Sequence, residues 1–96
     1  MITHQEFINS LKSEIPPTNQ VGSYLLALWY AYRGEWHQAH DLVQDLQDDK
    51  AAHIHAYLHR LEGDDWNAGY WYRKAGVTIP AESLDEEWAN LVKLML

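Results

Sequence analysis

Two glycines divide the middle of this chain into matching halves. Gly34 and Gly63 lie 29 residues apart, and laying one over the other aligns Ala27 with Ala56, Glu35 with Asp64, Ala39 with Ala68 and Leu46 with Ala75. Each half, within Tyr24 to Ala75, reads as a helix, a Gly-acid turn and a second helix. A fixed period of this size is the mark of repeated helical hairpins. Nowhere does the alternation of a strand replace the helical spacing.

The flanking segments are helical too. Thr3 and Glu6 form a capping box, with Ile2 and Phe7 placed to staple it. Phe7, Ile8, Leu11 and Ile15 recur at helical spacing, so the first helix is expected over 3–14 with one buried face. Pro16-Pro17 ends it. Thr18-Asn19 offers a cap for a second helix over 20–33. Gly34 stops that helix, and Glu35 opens a third over 35–47. Asp48-Asp49 caps a fourth helix over 50–62, and Asp64 or Asp65 caps a fifth over 65–75 that Gly76 closes. Ser83 and Glu86 make a second capping box, for a sixth helix over 84–95. Leu84, Trp88, Leu91, Val92 and Met95 form its apolar stripe, expected to cover the aromatic fifth helix.

Composition narrows the function classes. The net charge of −7 would repel a polyanion, which argues against nucleic acid. Cysteine is absent, so thiolate chemistry and disulfides are excluded. Charges and histidines interrupt every apolar run before it reaches membrane-spanning length. The start of the chain lacks the basic end and continuous apolar centre of a signal peptide. A cytoplasmic setting is the expectation. No nucleophile motif and no glycine-rich phosphate loop is present, and helix capping accounts for the carboxylates at 35, 48, 49, 64 and 65, so no catalytic residue is assigned.

The central half of the chain resembles tetratricopeptide repeats. Ala27, Gly34-Glu35 and Ala39 carry the likeness in the first unit, and Ala56, Gly63-Asp64, Ala68 and Ala75 carry it in the second, with Pro80 at the place of the family's closing proline. The step of 29 residues is shorter than the family's typical ~34, and two units fall below the three usually needed. The resemblance implies an all-α, tetratricopeptide-like solenoid of six antiparallel helices in one domain, 1–96. Segment 1–17 would be an N-terminal cap, 20–47 and 50–76 the hairpins, and 83–96 a C-terminal cap. It also implies a groove between the second and fourth helices. Tyr24, Leu28, Ala31 and Tyr32 would line one side, and Lys50, His53, Tyr57 and Arg60 the other. The implied function is a non-enzymatic module that binds a protein or peptide there. The basic end suits an acidic or C-terminal segment, with Lys50 and Arg60 taking a carboxylate.

Two other classes stand beside that one. Five of the six histidines lie between 37 and 59. His55 and His59 are four apart on one helix face, a spacing that suits two ligands to one transition metal. His37 and His40 lie on the preceding helix, where Asp41 or Asp45 could add a carboxylate. His40, His55 and His59 are the first ligands of such a site, which would suit zinc, iron or nickel and could serve an enzyme. The same histidines could instead be neutral core residues bonded to Gln44, Asp41 or a tyrosine hydroxyl. The third class is a homodimer through the fifth and sixth helices, using Trp66, Tyr70 and Trp71.

Overall fold

The computed structural model describes residues 2–96, so Met1, the first residue of the expected capping segment, lies outside it. Six helices follow one another: α1 His4–Ser10, α2 Ser23–Tyr32, α3 Trp36–Val43, α4 Asp49–Leu61, α5 Asp65–Ala75 and α6 Leu84–Met95. Among the described residues there is no strand. Nor, among them, is any helix long and apolar enough to cross a membrane.

The repeated glycines do the same job three times. Gly34, Gly63 and Gly76 all have positive φ, at 78, 85 and 75°. At each, the glycine N–H bonds back three residues and the next N–H bonds back five. Glu35 N–H reaches the Tyr30 carbonyl at 2.9 Å, Asp64 N–H reaches His59 at 2.8 Å, and Val77 N–H reaches Tyr72 at 3.0 Å. This closure satisfies the last carbonyls of the helix and needs a left-handed residue, which glycine supplies without strain. The turn after Gly63 therefore brings Asp64 back beside the end of α4.

Both expected capping boxes are present, at Thr3–Glu6 and Ser83–Glu86. Asp48 caps α4, and Asp64 rather than Asp65 caps α5. The first three helices are shorter than expected, with α3 ending at Val43 instead of 47. The carbonyls at and just past the end of α1 are captured from α2 and its C-cap: Trp29 Nε1 donates to Ser10 O at 3.2 Å, and Arg33 donates to Leu11 O and Ser13 O at 3.1 and 2.9 Å. Ile15 consequently falls outside the helix and is exposed, against the expectation of a buried face. Thr18 sits in a turn on the Pro16 carbonyl, and α2 starts from Gly22 without a side-chain cap.

The core gathers Phe7, Leu28, Trp29, Val43, Ile54, Tyr57, Leu58, Trp88, Leu91 and Val92. Helix α2 packs on α3 and α4 on α5, while α6 lies on α2 and α4. That position corrects the expectation that the sixth helix covers the fifth. Trp88 of α6 donates its indole N–H to the Leu28 carbonyl at 2.8 Å, deep between α2 and α4. Glu87, 1 % exposed, accepts from Arg60 Nη1 at 2.8 Å and from the Tyr72 hydroxyl at 2.6 and 2.8 Å. A buried carboxylate needs such partners, and they are found beside α4 and not on the outer side of α5. Trp66 stays 78 % exposed as a result.

Candidate metal centre

Helix α4 presents two different faces to its neighbours. His55 and His59, one turn apart, face α3, where His40 projects from the same level. His40 Nε2 and His55 Nε2 are 2.9 Å apart. One ligand atom from each of His40, His55 and His59 lies within 4.8 Å of the others. Zinc binds imidazole nitrogen at about 2.0–2.1 Å, which puts two tetrahedral ligands roughly 3.3 Å apart. The His40–His55 pair is thus a few tenths of an ångström closer than two such ligands would be, and no pair is more than about 1.5 Å wider.

Aromatic rings wall the cluster. Trp36 stacks on His40 with centroids 4.7 Å apart, and its Nε1 is fixed on the Leu58 carbonyl at 2.7 Å. Trp71 of α5 stacks on His55 at 3.9 Å, with the Lys74 ammonium over its ring at 5.0 Å. His55 and His59 stack on each other at 4.9 Å. His55 is 5 % exposed, whereas His40 and His59 are half-buried, so the site has a dry side and an accessible side.

Burial favours the neutral form of two of these imidazoles. Burial pushes the His55 imidazole down to about 4, with the neighbouring His40, His59 and Lys74 adding to the effect. Burial also lowers His40, helped by His59. Neutral imidazoles expose the lone pairs that a metal needs.

Outside the triad, His59 Nδ1 meets Glu62 Oε2 at 2.8 Å, and Asp64 Oδ2 lies 4.0 Å away. A carboxylate on one ring nitrogen fixes the tautomer and leaves the other nitrogen free to bind metal. Glu62 was missed in the sequence, although its position three residues after His59 on a helix was a readable signal. Sequence alone places Trp71 at a homodimer interface and gives Trp36 no role at the histidines. The expected carboxylates do not join: Asp41 is exposed and accepts from Gln44 at 3.3 Å, and Asp45 is exposed. His37 is exposed and lies edge-on to Trp36. Neither Gln44, Asp41 nor a tyrosine hydroxyl bonds His55 or His59, whose partners are His40 and Glu62.

The groove residues have mixed fates. Leu28, Ala31 and Tyr57 are buried in the core. The Tyr24 hydroxyl donates to Asp48, the cap of α4. Arg60 does take a carboxylate, but it is the chain's own Glu87, and Arg60 also donates to the Glu82 carbonyl at 2.5 Å. His53 lies 3.7 Å from Glu87. Burial alone would raise the Glu87 carboxyl, but the nearby His53 ring and the hydrogen bonds from Tyr72 and Arg60 outweigh it and hold it below its ordinary range. Tyr32 and Lys50 stay exposed. The aromatic face of α5 that a homodimer would use is also open at Trp66 and Tyr70.

Compared with protein-family models, curated proteins and solved structures, the chain has no significant match in any of the three.

Proposed function

We propose that this chain is a small metal-binding protein that holds one transition-metal ion of the zinc class on His40, His55 and His59. The observation that carries the reading is the convergence of three imidazoles from two helices, one ligand atom each, within 4.8 Å. Three imidazole nitrogen ligands suit zinc, iron or nickel. They leave a fourth position for water or a substrate atom, the arrangement that makes a bound ion chemically active. Glu62 orients His59 from behind. Bound metal would tie α3 to α4 and add its binding energy to folding.

The test is metal analysis and native mass spectrometry of tag-free protein supplied with zinc. One ion per chain is expected, and a His55→Ala/His59→Ala double variant should carry none. If the parent stays metal-free at saturating zinc, iron and nickel, the histidines are core residues and the reading fails.

A second reading is the tetratricopeptide-like interaction module in the cytoplasm. The paired packing of α2 with α3 and α4 with α5 supports it, as does Tyr32, 61 % exposed beside α6, which fills the deep part of the groove. Its test is partner capture by the parent protein and by Tyr32→Ala. Equal capture by both would remove the groove from consideration.

A further inference from the structure

Tyr32 stands between two hollows. One, of about 440 Å³, is lined by Ala31, Tyr32, Trp36, His37, Leu61 and Glu62, among others. The other, of about 430 Å³, is lined by Ala31, Tyr32, Tyr57, Leu61, Asp85 and Trp88, among others. Ala31, Tyr32 and Leu61 belong to both, so the two form one trough over the ends of α2 and α4. The Tyr32 ring leans on Trp88 with centroids 4.9 Å apart, which holds it as a fixed aromatic platform.

The charges around this trough have one sign. Its lining carries Glu62 at one end and Asp85 at the other, with His37 and no lysine or arginine. The arginines of the same helices are engaged elsewhere. Arg33 lies over the Trp29 ring at 4.7 Å and holds the Leu11 and Ser13 carbonyls, while Arg60 is committed to Glu87. The whole chain carries −7. An acidic segment, the ligand expected from Lys50 and Arg60, would meet repulsion here.

We propose that the trough beside Tyr32 docks a basic peptide segment of a partner protein, with an arginine or lysine stem lying across the Tyr32 ring and its charge facing Asp85 or Glu62. Aromatic faces attract cations, and long basic side chains cover apolar surface with their stems while the charged end reaches a carboxylate. Two hollows joined at Tyr32 give room for more than one such side chain. The acidic surface as a whole would speed the encounter. This inference needs no bound metal, although Glu62 borders both the trough and His59.

The experiment measures fluorescence anisotropy of a labelled glycine-serine peptide carrying two arginines, at physiological salt. Its counterpart carrying two glutamates and free spermidine as competitor are the other probes. The arginine peptide should bind and the glutamate peptide should not. Tyr32→Ala, which leaves the net charge unchanged, should weaken binding at least tenfold, and Tyr32→Phe should restore most of it. Asp85→Asn should weaken it several-fold. Circular dichroism of each variant should match the parent, because both side chains are exposed. Absence of binding, or equal binding by parent and Tyr32→Ala, would overturn the proposal as diffuse attraction to an acidic surface. Displacement by spermidine at equimolar concentration would overturn the peptide assignment in favour of a small polyamine.

Discussion

Helix α4 carries two polar clusters of opposite character. On one side Arg60 and His53 meet Glu87 and Tyr72, and every group there finds a complement: a cation for the carboxylate, a hydroxyl to donate, a backbone carbonyl for the spare guanidinium N–H. On the other side His55 and His59 meet His40, and the groups are alike. Three imidazoles share one short N···N contact, and each protonated ring would raise the cost of protonating the next. The first cluster is complete within the chain and anchors α6. The second holds its rings by that short contact and by Glu62 on His59, and under the metal proposal an ion would sit at its centre.

The comparison can be broken most severely at the first cluster. Arg60→Ala leaves the Glu87 charge buried without its cation, and removing one partner of a buried pair costs about 3–5 kcal/mol. Urea denaturation should show that loss, and a value below ~1 kcal/mol would mean that Arg60 does not hold α6. At the second cluster the effect should fall on metal and not on folding. His55→Phe preserves the stack on Trp71 and removes one ligand. We expect metal-free stability to stay within about 1.5 kcal/mol of the parent, as for a shape-conserving core change. Zinc affinity, measured by competition with a chelator, should drop by more than the ~100-fold expected for an outer-shell change.

Glu62→Gln sharpens the contrast further. It keeps a hydrogen-bonding group near His59 but removes the charge. Zinc affinity should fall by about 10- to 100-fold with the thermal midpoint of the metal-free protein nearly unchanged. The smallest effect is in acid. Glu87 titrates below its ordinary 4.5 in the folded chain, so the unfolded chain binds the proton more readily. Its contribution is therefore fully present above about pH 4.5 and is lost as pH falls through the lower folded value. Stability measured from pH 6 to pH 3 should decline less steeply in Glu87→Gln than in the parent.

Much of this contrast was legible before the fold was known. The left-handed turns at Gly34 and Gly63 follow from the repeat itself, and α6 occupies the span its capping box and stripe predicted. His40, His55 and His59 could be brought together because helical spacing fixes which side chains of α4 share a face and because consecutive helices pack. The position of α6 was not legible, since both the aromatic α5 and the cleft between α2 and α4 offered apolar cover. Glu87 decided it, and Glu87 was the available clue: a carboxylate between Leu84 and Leu91 on an otherwise apolar stripe. The early end of α1 was equally hidden, because it depends on carbonyls captured by Trp29 and Arg33 from the next helix. Local propensity cannot register partners that arrive from a distance.

The most direct measurement is the zinc stoichiometry of the tag-free protein by native mass spectrometry, in the parent and in the His55→Ala/His59→Ala variant side by side. The account predicts one ion per chain in the parent and none in the variant, with Arg60 and Glu87 untouched in both. A parent that binds no ion at saturation, or a variant that still binds one, would contradict it.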